Sequence, residues 1–286
     1  MYRTGLSTCG FTFTENNFAA LAEAGIRDVE ISRPCGEYPY LEHKAIRALA
    51  DRHGVKLWSY HLPFAGTDTL DIASADEELR RRTVETLAGY IRKGGDIGVD
   101  KFVIHPGSEP NSEDAEVRGE LLKHCMESLN TLAEIAAEYG AVIAVEDLPR
   151  SCLGRTAEEI LQLISANDKL RVCFDSNHLL MDDNLNFLKK LAGKIVTVHI
   201  SDYDFLNERH WLPGEGKVDW MALYEGLKAS GYEGVWLYEI GQKKPASILE
   251  GRRLEFSDYV RNAREIMEGR PITVFRKPKT FTGLWE

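Results

Sequence analysis

The fold is decided by residues 196–220, which read V-T-V-H-I-S-D-Y-D-F-L-N-E-R-H-W-L-P-G-E-G-K-V-D-W. A short β-branched run ends in His199, and the polar loop behind it carries Glu208, Arg209 and His210. A glycine-rich turn then leads into a helical pattern. Parallel α/β proteins place their chemistry at the carboxyl ends of buried strands. We therefore expect matching groups at the ends of the other strands.

Short apolar runs and segments of helical spacing alternate along the chain. Predicted strands such as FVIH, AVIAVE, IVTVHI and VWLYE are apolar rather than alternating, which is typical of strands covered on both faces. They span residues 5–8, 28–32, 56–62, 101–105, 141–147, 171–176, 195–201 and 234–240. The predicted helices span residues 15–24, 40–53, 76–97, 116–139, 156–166, 185–191, 219–230 and 256–268. Helices open on capping residues such as Thr14, Asp76 and Asp219, and end on glycines such as Gly25 and Gly54.

This alternation of strands and helices predicts an α/β fold, a (β/α)8 TIM barrel built as a single domain from residues 1–270. A doubly wound open sheet is the alternative, but the first strand-to-helix turn lacks the G-x-G-x-x-G pattern. Residues 271–286 are basic, aromatic and proline-containing. We expect this C-terminal extension to pack on the barrel or on a neighbouring subunit of a homo-oligomer.

The composition describes an ordinary globular chain, with 43% hydrophobic and 28% charged residues among 286. A formal charge of -10 disfavours a nucleic-acid partner. The N-terminus lacks a leader pattern and no apolar run approaches about 18 residues, so we expect no membrane association. Five scattered cysteines without a C-x-x-C pair indicate a reducing cytoplasm rather than a disulfide framework.

Six consecutive predicted strands end on residue types that bind metals. These residues are His61, His105, Glu146, Asp175 with His178 just beyond it, His199 and Glu239. All of these strand ends meet at one face of a barrel. Three carboxylates in one apolar mouth would repel one another and be costly to desolvate unless a cation compensated them.

We therefore predict a divalent-metal site with Glu146, Asp175, His199 and Glu239 as its ligands. Oxygen ligands with imidazole suit Mn²⁺, Mg²⁺, Co²⁺ or Zn²⁺, and the residue types do not choose among these ions. The remaining candidates either orient a substrate or bind further metals. They are His61, His105, His178, Glu208, Arg209 and His210.

The chain resembles the sugar isomerase/epimerase superfamily with a xylose isomerase-like barrel, which also contains the endonuclease IV-type DNA repair enzymes. The resemblance covers nearly the whole chain. Its most specific motifs are HPG at His105, VED at Glu146, DSNH at Asp175, VHISD at His199 and RHWLPGEGKVDW from Arg209. The resemblance implies carbohydrate metabolism and a metal-dependent isomerase or epimerase that acts on a small sugar or sugar phosphate. Such enzymes move a proton beside a carbonyl through a metal-held enediolate.

In the ketose 3-epimerase branch, the resemblance makes Glu146 and Glu239 both metal ligands and the acid–base pair, while His178 would contact the substrate. The arginine that this branch uses lies closer to the strand-7 histidine than Arg209 lies to His199. Taking a proton beside a ketone needs a carboxylate and a Lewis acid, and inversion needs a second acid on the opposite face.

Two other activities of the same barrel remain open. The endonuclease branch, a three-zinc phosphodiesterase acting at abasic sites, has ligands that overlie His61, His105, Glu146, Asp175, His178, His199, Glu208, His210 and Glu239. Its pattern departs at Glu208, where that family uses aspartate. The acidic charge and the short loops after the first two strands, with only Arg33 to meet a backbone, favour carbohydrate chemistry. The third activity is a metal-dependent dehydratase or lyase.

Overall fold

The computed structural model describes residues 1–109 and 111–283, and its centre is a barrel of eight parallel strands. The strands are β1 Arg3–Ser7, β2 Asp28–Ile31, β3 Lys56–His61, β4 Lys101–Ile104, β5 Val142–Glu146, β6 Arg171–Asp175, β7 Ile195–His199 and β8 Val235–Tyr238. Each strand pairs with its neighbour in chain order, and β1 pairs with β8. A parallel bridge between Ile200 and Tyr238 joins β7 to β8 and closes the ring. The predicted (β/α)8 barrel is confirmed.

Helices surround the barrel and connect successive strands. They are α1 Glu15–Ala24, α2 His43–His53, α3 Glu77–Asp96, α4 Ala115–Ala137, α5 Ala157–Ile164, α6 Asn184–Lys190, α7 Trp220–Ala229 and α8 Phe256–Met267. The side chains of Thr14, Asp76 and Asp219 accept hydrogen bonds from backbone N–H groups of the first turns, as predicted. Gly25 and Gly54 end their helices with φ of 92° and 60°, a conformation that costs glycine little. No helix in the described ranges is both long and apolar enough to cross a membrane.

The interior of the barrel is filled below its mouth. Trp58 of β3 donates its indole N–H to Thr197 Oγ1 of β7 across the barrel, at 3.1 Å. Val103, Ala144 and Cys173 form a small buried cluster on β4, β5 and β6. Cys173 is therefore a core residue of the barrel. This packed floor confines any ligand to the end where the strands terminate.

Two further short strands were not predicted. β9 Ile248–Gly251 pairs antiparallel with β10 Arg276–Pro278, and the two lie outside the barrel sheet. Within β10, Arg276 is buried and its Nη2 lies 2.7 Å from Glu215 Oε2. The division into residues 1–270 and 271–286 stays a prediction, and its last residues, 284–286, lie outside the described part of the chain.

Candidate metal and active site

Four acidic and imidazole side chains converge at the carboxyl end of the barrel. Glu146, Asp175 and His199 are the last residues of β5, β6 and β7, and Glu239 follows β8 directly. Their ligand atoms all lie within 4.8 Å of one another. Glu146, Asp175 and His199 are fully buried, and the side chain of Glu239 is 14% exposed. The structure thus brings together the four residues predicted as metal ligands.

The distances place these atoms around one shared point. His199 Nδ1 lies 2.6 Å from Glu146 Oε1, 3.8 Å from Asp175 Oδ2 and 3.7 Å from Glu239 Oε2. Asp175 Oδ2 is buried and has no hydrogen-bond partner among the described residues. A buried carboxylate oxygen without a partner is costly unless a ligand satisfies it. Three carboxylates, one of which carries this oxygen, together with one imidazole fit a divalent cation.

The pKa shifts of these four residues reflect the crowding of acidic groups and imidazoles in a buried place. Burial raises the pKa of Asp175 and of Glu239. Burial also acts to raise the pKa of Glu146, but His199 and other histidines hold it well below the ordinary value. Burial lowers the pKa of His199, yet the acidic groups around it, including Glu30 and Glu146, raise it well above the ordinary value. The acidic groups and the imidazoles therefore compensate one another here, and a divalent cation could provide the same compensation.

Two further groups flank the central one. His61 Nε2 and His105 Nε2 lie 3.2 and 3.1 Å from Glu146 Oε2. Burial lowers the pKa of His61, but its hydrogen bond to Glu146 raises it overall to about 9. Burial lowers the pKa of His105 to about 4. On the other side, His178 Nε2 lies 3.3 Å from Glu208 Oε2, and both residues lie near His210.

Arg209 does not join these groups, although its sequence neighbours do. Its Nε donates to Asp204 Oδ2 at 3.0 Å, and its guanidinium lies 3.7 Å from the ring centre of Phe281 in the C-terminal extension. Arg150 lines the mouth instead. Arg150 and His210 both have positive φ, 52° and 50°, which is uncommon outside glycine and frequent at functional sites.

A cavity of about 480 Å³ opens over these residues, a size suited to a small molecule. Its wall combines apolar side chains with two arginines, namely Arg33, Phe64, Leu148, Pro149, Arg150 and Cys152. His61, His105, His178, Glu208, His210 and Glu239 reach it from the groups described above. A ligand in the cavity would therefore lie against both the central group and the flanking ones.

Glu30, which lies behind His199, was not among the residues predicted from the sequence. Glu30 is fully buried on β2, and its Oε2 lies 3.0 Å from His199 Nε2 and accepts from Ser59 Oγ at 2.8 Å. A metal-binding histidine commonly donates its second ring nitrogen to such a carboxylate. The signal in the sequence was an acid between two apolar residues in the strand D-V-E-I.

Comparison with known proteins places these features in a family. A family model described as a xylose isomerase-like TIM barrel matches residues 18–258. An uncharacterised protein of Methanocaldococcus jannaschii is 32% identical over 212 residues, covering 70% of this chain and 71% of that protein. The solved structure of a D-tagatose 3-epimerase-like protein has a TM-score of 0.78 at 26% identity, covering 94% of this chain and 97% of that one.

Relatives with two different activities are also found. A fructoselysine 3-epimerase of Shigella flexneri is 26% identical and covers 83% of this chain and 90% of its own length. A probable endonuclease 4 of Thermoplasma acidophilum is 24% identical and covers 62% of this chain and 65% of its own length. The match to the epimerase is therefore the more extensive of the two.

Proposed function

Since the chain belongs to the xylose isomerase-like TIM barrel family, we propose that it is a divalent-metal-dependent epimerase or isomerase of a small carbohydrate. The observation that carries the proposal is the convergence of Glu146, Asp175, His199 and Glu239 within 4.8 Å beneath a cavity of small-molecule size. The extensive match to a fructoselysine 3-epimerase supports it. The five unpaired cysteines suit a reducing cytoplasm.

These four residues would hold the cation, which we take to be Mn²⁺, Co²⁺, Mg²⁺ or Zn²⁺. When bound there, it would act as a Lewis acid toward a carbonyl and the hydroxyl beside it. Asp175 and His199 serve only to hold it. We assign Glu146 and Glu239 a second task, because they come from strands three apart in the ring and would flank a substrate held between them.

Proton transfer is the task of Glu146 and Glu239. One carboxylate takes the proton from the carbon beside the carbonyl, and the other returns a proton to the opposite face, which inverts that carbon. An isomerase would use one of them to shuttle the proton on a single face. His178 is positioned to contact substrate hydroxyls at the edge of the cavity, and Phe64 and Leu148 form apolar wall that excludes water.

The charges of the cavity wall favour a neutral sugar over a sugar phosphate. Arg33 donates to the carbonyl oxygens of Thr8 and Phe11 and pairs with Glu37 at 2.7 Å. Arg150 pairs with Glu109 and Glu208, at 2.8 and 2.9 Å. Both guanidinium groups are therefore neutralised by the protein, and neither offers an uncompensated positive charge to a phosphate.

A second candidate is a phosphodiesterase with several metal ions, of the kind the endonuclease 4 relative suggests. The observation in its favour is that His61, His105 and Glu146, and likewise His178, Glu208 and His210, form further groups of potential ligands. The net charge of -10 is unfavourable for a DNA substrate. A dehydratase or lyase would require the same central group.

One experiment separates these activities. Metal-free protein is reloaded with Mn²⁺ or Zn²⁺ and incubated in D₂O with a panel of free and phosphorylated ketoses, and in parallel with duplex DNA containing an abasic site. We expect deuterium to enter free ketoses beside the carbonyl, and Asp175→Asn to abolish this exchange. DNA cleavage without exchange into any ketose would overturn the proposal.

A further inference from the structure

Arg150 joins three loops at the mouth of the barrel. It lies four residues beyond Glu146, in the loop after β5, with φ of 52°. Its Nε lies 2.8 Å from Glu109 Oε2 in the loop after β4. Its Nη1 and Nη2 donate to Asn207 Oδ1 and Glu208 Oε1 in the loop after β7, at 2.6 and 2.9 Å. The guanidinium is thus held in one place by contacts on several sides.

This guanidinium lies against the flanking group formed by His178, Glu208 and His210. Glu208 is the only carboxylate of the three, and both of its oxygens are engaged. Oε1 accepts from Arg150 at 2.9 Å, and Oε2 lies 3.3 Å from His178 Nε2. A guanidinium does not give up its proton under ordinary conditions, so its charge is permanent.

The central group offers the opposite environment. Its carboxylate oxygens lie against the imidazole of His199 and against no guanidinium among the described residues, and Asp175 Oδ2 is buried without a hydrogen-bond partner there. A divalent ion beside Glu208 would instead meet a fixed positive charge and a carboxylate that is already neutralised. The two groups share similar donor atoms, yet the arginine makes only one of them favourable for a cation.

We propose that the Arg150 guanidinium takes the place of a cation at the His178–Glu208–His210 group and thereby limits the number of metal ions that the chain binds. The inference rests on the proposed function, because it takes the central group to be a metal site. By this inference, the mouth of this barrel differs from one in which every group of potential ligands binds a metal ion. His178 and His210 would then hold no metal ion.

The test counts zinc ions bound by metal-free protein, using titration against a chromophoric chelator and elemental analysis after gel filtration. We expect Arg150→Met to bind one zinc ion more than the wild type. We expect the double variant Arg150→Met/Glu208→Gln to lose this additional ion. Arg33→Met removes the other arginine of the cavity wall and should leave the count unchanged. Circular dichroism establishes that each variant is folded.

Glu208→Gln in the wild-type background provides a test that does not depend on how Arg150→Met folds. We expect this variant to bind as many zinc ions as the wild type, and the loss of one ion would overturn the inference. An unchanged count in folded Arg150→Met would overturn it as well. Loss of zinc binding in Asp175→Asn would support the central metal site independently of the result for Arg150→Met. Wild-type protein that binds none of Zn²⁺, Mn²⁺, Co²⁺ and Mg²⁺ would instead refute the proposed function.

Discussion

Glu30 provides a quantitative test of how the protein prepares its proposed metal site. The His199 imidazole points Nδ1 at the central group and Nε2 at Glu30 Oε2, 3.0 Å away. A carboxylate in this place orients the ring and raises the basicity of the nitrogen that binds the metal, an effect of about 10- to 100-fold in metal affinity. Glu30→Gln keeps an acceptor oxygen but loses the charge, so we expect affinity to fall about 10-fold, or about 1.4 kcal/mol. Glu30→Ala loses both and should approach the upper figure of about 100-fold.

The assay is competition between metal-free protein and a fluorescent chelator for Zn²⁺ and Mn²⁺. Ser59→Ala is the matched control, because it removes the other hydrogen bond to Glu30 Oε2, of 2.8 Å, and leaves the contact with His199 in place. We expect this control to bind metal nearly as tightly as the wild type. Wild-type affinity in Glu30→Gln, or equal losses in Glu30→Ala and Ser59→Ala, would refute the reasoning.

Three other perturbations test the chemistry and the packing. Glu239→Gln retains the shape of the side chain without its carboxylate, so deuterium exchange into a ketose should fall at least about 10²-fold in folded protein; exchange at the wild-type rate would remove Glu239 from its proposed role. Arg276→Met leaves the buried carboxylate of Glu215 without its partner and should cost about 3–5 kcal/mol in urea unfolding, whereas a loss below about 1 kcal/mol would show that the pair does not hold the extension. Burial acts to raise the pKa of Asp258, but Arg252 and an adjacent backbone N–H hold this pKa below the ordinary value. The ionised carboxylate therefore stabilises the folded protein above the unfolded-state pKa of about 3.9, and this stabilisation is lost as the pH falls through the lower folded-state pKa. The difference in unfolding free energy between wild type and Asp258→Asn should accordingly be greatest near neutral pH and shrink in acid, and a difference independent of pH would contradict this assignment.

The barrel could be predicted because each of its units leaves a local signature. Runs such as IVTVH, which forms β7, are largely apolar because the helices cover one face of the strand and the barrel interior covers the other. Helix ends carry Asp or Thr caps and glycines of positive φ. The β9–β10 pair has no such signature, since Ile248 pairs with Pro278 far along the chain and neither strand is markedly apolar. Predicted strands also ran too far, and His105 and Glu239 lie just beyond β4 and β8.

The convergence of the site could be predicted for a related reason. Parallel strands end on the same face, so residues such as Glu146, Asp175 and His199 had to approach one another once the barrel was assumed. The partners of these residues depend on the closure of the ring. Glu30 meets His199 because β2 and β7 face each other across the barrel. The placement of Arg150 depends on the backbone of one loop, which the residue types alone do not specify.

The most direct test of the central claim is a crystal structure of the protein grown with Mn²⁺, with data collected to locate manganese by its anomalous scattering. We expect one strong anomalous peak at bonding distance from Glu146, Asp175, His199 and Glu239 together. Well-ordered crystals in which these four side chains surround no anomalous peak, at a manganese concentration that supports catalysis, would contradict the claim that a cation brings them together.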